Sequence, residues 1–146
     1  MLFKVFALDL FVVKVVMKIM MIKNFLIINC IGKDDKLGLR INKDFFIHHF
    51  ESQKVGNDRL VFEILNFLGR HSVTLDHEFS IIINQGPGSF SGIRISLAVA
   101  KGIEISKSIK LFGFKNKDLS DFDQKSIEKL IDKNLIEKKL IKPIYL

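Results

Sequence analysis

With a single cysteine, Cys30, in 146 residues, the chain can form neither an intrachain disulfide nor a multi-cysteine metal centre. A lone thiol of this kind fits a small core or strand residue in a reducing compartment, so a cytoplasmic location is expected. Tryptophan is absent, tyrosine occurs once and proline twice, against 14 phenylalanines. Long uncharged runs are missing as well. The first 23 residues are apolar but broken by Lys4, Asp9, Lys14, Lys18 and Lys23. No stretch there reaches the roughly 18 uncharged residues of a membrane span. A clean signal-peptide core with a small-residue cleavage site is also lacking. No membrane association is expected. Met17, Met20 and Met21 are each plausible starts, so residues 1–20 read as an N-terminal extension and residues 21–146 as a single domain.

Hydrophobic residues make up 48% of the chain, enough for a real core. The net charge is +7, in a composition leaning on Ile, Lys, Asn and Phe, whose codons are A/T-rich. Coding bias and a basic surface are both open explanations of that charge. Arg94, Lys101, Lys107, Lys110, Lys115 and Lys117 stand against Glu104 alone within 94–117, and three aspartates follow in 118–123. Such a stretch could face RNA phosphates. No aromatic-rich RNA-recognition pattern accompanies it, so base-specific reading is not supported.

The apolar runs order the chain. Residues 25–29 read as a buried strand, and Gly32, Asp34 and Asp35 supply a turn. Residues 36–41 and 44–50 read as two more strands joined near Asn42-Lys43, giving an antiparallel meander. Asn57 or Asp58 caps a helix to about Arg70, with Leu60, Ile64 and Leu68 on one stripe. A strand is expected at 79–84, a helix from Gly92 to Ser106, a strand at 109–114 and a last helix from Gln124 to Lys139. Pro143 makes the tail extended. The order βββαβα is that of an α/β domain.

The most specific segment is Gly86-Pro87-Gly88-Ser89-Phe90-Ser91-Gly92-Ile93-Arg94. Gly86 and Gly88 open backbone angles closed to other residues, Pro87 stiffens the turn, and Ser89 or Ser91 can cap the helix. No Gly-Lys-Ser/Thr ending follows, and the glycine spacing misses the dinucleotide fingerprint by one residue. A generic anion at the helix N-terminus stays open. The helix carries a small stripe, Gly92, Ser96 and Ala100, beside a β-branched one, Ile95, Val99 and Ile103. Such a helix packs either on its own sheet or on a partner. No two histidines among His48, His49, His71 and His77 are four apart, so a helical His-x-x-x-His metal pair is absent.

Residues 86–95 closely resemble the signature Gly-Pro-Gly-Ser-Phe-Thr-Gly-Leu-Arg-Ile of the TsaB (YeaZ) family. Residues 25–41 resemble its first strand and hairpin, residues 56–68 its first helix, and the tail Lys-Pro-Ile-Tyr-Leu its C-terminal Glu-Pro-Val-Tyr-Leu. The resemblance implies an actin-like, ribonuclease H-like lobe with the second lobe largely absent between the first lobe and the tail. It implies a non-catalytic scaffold subunit without a cofactor. The family's subunit pairs with itself or with a TsaD-type catalytic paralogue, alongside a TsaE-type ATPase. Together they modify the tRNA adenosine next to the anticodon with a threonylcarbamoyl group.

The implied partner interface comprises Gly92, Ile95, Ser96, Val99, Ala100 and Ile103, with Leu60 and Ile64 on the preceding helix. A bulky charge at Ser96 or Ala100 is then expected to break pairing with the fold intact. Arg94 is open between a partner contact, an anion contact and plain solvation. The family's strand-one aspartate corresponds to Asn29, which cannot supply a metal-binding charge. An alternative alignment at Phe3–Asp9 would restore it as Asp9. The competing functions are a stand-alone anion- or RNA-binding module and a metal-dependent transferase or protease-like enzyme.

Overall fold

A computed structural model describes residues 10–17, 22–32, 34–51, 58–138 and 141–145. After helix α1 (residues 10–17), whose larger apolar side chains are exposed, the chain enters its sheet. The elements are β1 (Phe25–Asn29), β2 (Asp34–Ile41), β3 (Asp44–Glu51), α2 (Asp58–Arg70), β4 (Ser80–Asn84), α3 (Phe90–Lys107), β5 (Lys110–Phe114) and α4 (Gln124–Asp132). The five strands lie in the order β3-β2-β1-β4-β5.

β1 is buried along its whole length because it runs between β2 and β4. Its Phe-Leu-Ile-Ile run suits that place, since a central strand covered on both faces needs apolar residues at every position. β1, β2 and β3 pair antiparallel. The β2–β3 link is two residues, Asn42 and Lys43, both at positive φ (51° and 75°). That geometry matches the right-handed twist of paired strands. The Asn42 N–H also donates to Asn24 Oδ1 at 3.1 Å, which fixes the loop over the start of β1. β4 and β5 then join in parallel, through the crossovers that α2 and α3 provide.

The alternation of side chains divides the core in two. Leu26, Ile28, Ile81, Ile83 and Leu111 face α2 and α3. Phe25, Ile27, Ile82, Phe112 and Phe114 face α4. The expected βββαβα order is therefore present, with strand bounds within two residues of the sequence reading.

Two elements differ from expectation. Helix α3 begins earlier than Gly92, because Ser89 rather than Ser91 caps it: the Gly92 N–H donates to Ser89 Oγ at 3.3 Å. Helix α4 stops at Asp132, short of Lys139. Asn134 takes a left-handed φ of 56° and the Leu135 N–H returns to Leu130 O at 3.0 Å. This ending buries Ile136 and lets Glu137 bridge to Gly113 on β5. The proposed cap Asn57, and the alternative first strand at Phe3–Asp9, lie outside the described residues.

Candidate functional site

The signature turn leaves β4 at Asn84, and that buried amide organises it. Asn84 Nδ2 donates to Asn29 Oδ1 at 2.6 Å and to Asn116 Oδ1 at 3.1 Å. Its Oδ1 accepts the Gly86 N–H at 2.9 Å, and Gly86 O accepts the Asn116 N–H at 2.9 Å. The ends of β1 and β4 and the turn after β5 are thus tied by neutral amides. Asn29 lies at the end of β1, the position where the resemblance implies an aspartate. It is engaged in this network as an acceptor.

Gly86 is needed for two reasons. Its φ is 99°, and a Cβ there would meet Ile93 Cδ1 at 2.6 Å and Ile144 O at 2.9 Å. The second contact shows what approaches the turn, namely the C-terminal tail. The Ile144 N–H donates to Gln85 O at 2.8 Å, and Gln85 Nε2 donates to Lys142 O at 3.0 Å. The Gly86–Pro87 peptide bond is cis. On the other side the Ser89 N–H donates to Ile31 O at 2.8 Å, seating the start of α3 on the loop after β1.

The small stripe of α3 turns inward. A Cβ on Gly92 would lie 2.6 Å from Cys30 O, so glycine lets the helix approach the end of β1. Ser96 and Ala100 are both 0% exposed. Ser96 satisfies its hydroxyl within the helix by donating to Ile93 O at 3.0 Å. The expectation that Ser96 and Ala100 touch a partner is therefore corrected: they fill the chain's own core. The same correction applies to Leu60 and Ile64, which are buried beneath α2. Periodicity locates an apolar stripe but does not say which of two neighbouring stripes meets the sheet.

Ile95, Val99 and Ile103 are half-buried at the border of the core. Beyond them the outer surface stays apolar. On α2, Phe62 is 57% and Leu65 60% exposed, with Val61 beside them. On α3, Phe90, Arg94, Ile95, Ala98 and Val99 line an open groove of about 350 Å³. Of these outward residues, Phe90, Arg94, Ile95 and Val99 were named from the sequence as candidate site residues, whereas Phe62, Leu65 and Ala98 were not. The available signal was that α2 carries apolar residues next to, as well as on, its inward stripe.

α2 is held to β3 by a charged clamp that composition could not show. Glu63, on the buried side of the helix, contacts His48 Nε2 at 2.6 Å and Arg59 Nη2 at 2.8 Å. Arg70 Nη2 lies 3.2 Å from His48 Nδ1. The His48 ring stacks on Phe67, and His71 stacks on Phe46 at 4.0 Å between centroids. These histidines join strand to helix. Among the described residues, no group of three or more His, Cys, Asp or Glu side chains is placed to hold a metal ion. Cys30 lies under the start of α3, where burial first and then the neighbouring Asp35 carboxylate push its thiol pKa well up. Such a thiol is a poor nucleophile at neutral pH. No described helix is long and apolar enough to cross a membrane.

No protein-family model matches the sequence. No curated protein matches it either. Among solved structures the chain is similar to YeaZ from Pseudomonas aeruginosa, with a TM-score of 0.59 at 20% identity over 68% of this chain and 46% of that one. A second structure, an uncharacterized protein with similarity to peptidase YeaZ, also from Pseudomonas aeruginosa, gives the same TM-score and identity over 68% and 45%. The chain spans less than half the length of these structures. Over the shared part the chain has the fold of YeaZ, which is actin-like and ribonuclease H-like.

Proposed function

We propose that this chain is a non-catalytic pairing subunit of the TsaB (YeaZ) type. It acts by binding a TsaD-type catalytic subunit, which transfers the threonylcarbamoyl group to the adenosine next to the anticodon of tRNA. A TsaE-type ATPase belongs to the same assembly, and a homodimer is the alternative use of the same face. The observation that carries this reading is the apolar outer surface of α2 and α3, where Phe62, Leu65 and Phe90 are each more than half exposed. An isolated subunit gains nothing from such a surface, whereas a docking partner would remove it from water at roughly 25 cal/mol per Å². The fold shared with YeaZ and the signature turn at 86–95 support the family assignment. The amide network at Asn29, Asn84 and Asn116 supports a role without intrinsic nucleotide hydrolysis, because none of these side chains can carry the charge that a metal–phosphate site needs.

Affinity purification of the tagged chain from its source cell tests the proposal. Recovery of the catalytic subunit and the ATPase is the expected result. Their absence under conditions where the chain is folded would overturn it, as would turnover of ATP by the pure chain.

A further inference from the structure

The tail and the start of α3, far apart in sequence, bring two exposed rings together. Phe90 and Tyr145 have centroids 5.2 Å apart and planes tilted by 32°. Phe90 is 57% and Tyr145 53% exposed. The Arg94 guanidinium sits 5.0 Å from the Phe90 centroid, adding a planar cation to the pair. The stack is pinned rather than loose: Ile144 and Lys142 are both hydrogen-bonded to Gln85, at the mouth of the signature turn.

Four basic residues lie at the same end of the sheet, where Glu51 on β3 and Glu137 beside β5 are also exposed. Lys142 lies in the pinned tail. Lys115 and Lys117 flank Asn116, whose N–H donates to Gly86 O. With Arg94 these three lysines are exposed, while Asp118 in the turn after β5 is half-buried and Asp34 is exposed at the start of β2. Aromatic faces beside a cationic rim are the two components that hold an unpaired strand. Bases stack on the rings, and phosphates meet the cations. A protein partner of the α2–α3 face would be served by Phe62, Leu65 and Phe90, but gains little from the exposed lysines of the turn after β5 and the tail.

We infer that the Phe90–Tyr145 stack, with Arg94, Lys115, Lys117 and Lys142 around it, is a binding platform for single-stranded nucleic acid. A base stacks on the exposed part of the Tyr145 ring, and the phosphates on either side meet the lysines. The inference goes beyond the pairing role, and it can fail while that role stands.

The sequence supplies its own reporter. Tyr145 is the single tyrosine and there is no tryptophan, so emission excited at wavelengths beyond the phenylalanine absorption band comes from this ring alone. A single-stranded oligoadenylate 12-mer, as RNA and as DNA, is titrated into the full chain, with anisotropy of a labelled copy read in parallel. Quenching of Tyr145 emission that follows the anisotropy is expected with either sugar. Tyr145→Ala should weaken binding by about tenfold and Tyr145→Phe should keep it. Four phosphate contacts predict a loss of affinity of about 50-fold between about 50 and about 200 mM salt, and Lys142→Ala should flatten that dependence. Emission that does not respond to the oligomer overturns the inference. So does a Tyr145→Ala variant that binds as well as the parent, or equal affinity for duplex. Emission that changes with protein concentration alone assigns the stack to a protein contact and also overturns it.

Discussion

Helices α2 and α4 cover opposite faces of one sheet, yet their outer surfaces differ. α4 buries Ile127, Leu130 and Ile131 and turns Gln124, Lys125, Lys129 and Asp132 to water. Its partly covered Glu128 pairs with Arg40 on β2 at 3.4 Å. α2 buries Leu60, Ile64, Phe67 and Leu68 just as well, but its outer side shows Val61, Phe62 and Leu65. A helix with one neighbour needs one apolar face. α4 meets that requirement and goes no further, whereas α2, with α3 beside it, has apolar surface left over after the sheet is covered. Under the proposed function, the leftover is the surface that a second neighbour covers.

The comparison breaks most sharply if a charge is placed on each side of that boundary. Ala100→Glu puts a carboxylate among Leu97, Ile93 and the strands, where no water and no partner await it. Loss of several kcal/mol is expected, enough to unfold a chain of this size. Urea denaturation checks it, with Lys129→Glu on α4 as the control that should change little. A folded, cooperative Ala100→Glu variant would return the small stripe to the surface.

Next in size is the outer face itself. Leu65→Glu or Phe62→Glu should weaken pairing with the co-purified subunit by at least about tenfold, or about 1.4 kcal/mol, while the denaturation midpoint stays close to the parent's. Lys125→Glu on the outer side of α4 should leave pairing unchanged. Equal effects from both helices would mean that the apolar surplus on α2 is not a docking surface.

The sheet was legible from sequence because strand signals are local. Phe25–Asn29, Ser80–Asn84 and Lys110–Phe114 are short apolar runs, and Asn42-Lys43 sits between two alternating stretches. The glycine turn was legible for the same reason. The proposed docking face was legible only in part. Gly92, Ser96 and Ala100 do form a stripe that lets backbone come close, but the backbone it meets is that of Cys30 in the same chain. Nothing local distinguishes that from a partner's backbone. The Glu63–His48 clamp, the amide bridge from Asn84 to Asn29 and the Phe90–Tyr145 pair were not legible at all. Each joins residues that only the β1–β4 register and the path of the tail bring together.

Cys30 measures how firmly α3 is seated on the α2 side. Its raised pKa and its burial beneath Gly92 predict that a thiol-specific reagent labels the native chain at least about 100-fold more slowly than the unfolded chain. Leu65→Glu should leave that protection intact, since Leu65 points away from the core. Rapid labelling of the native chain would mean that the α3 start opens readily and that the outer groove is not a fixed surface.

The smallest effect concerns the caps, and here the two sides of the sheet answer to different conditions. α3 is capped by the Ser89 hydroxyl at 3.3 Å, a long bond to a neutral group. Ser89→Ala should cost about 0.5–1 kcal/mol, the low end for an N-cap, and the cost should not depend on pH. α4 is capped by the Asp123 carboxylate, whose Oδ1 accepts the Ser126 N–H at 2.8 Å. That hydrogen bond holds the Asp123 pKa below the ordinary carboxylate range. A depressed folded pKa means that the cap's contribution is complete above the unfolded pKa and is lost as pH falls through the folded one. Acidification below the usual carboxylate range should therefore loosen the first turn of α4 while the first turn of α3 keeps its cap. Amide hydrogen exchange at Ser126 and Gly92, followed as pH is lowered and corrected for intrinsic rates, separates the two. Asp123→Asn, which can still cap, should remove the pH dependence without removing the cap, and a pH response at Gly92 equal to that at Ser126 would show that acid acts on the whole domain rather than through Asp123.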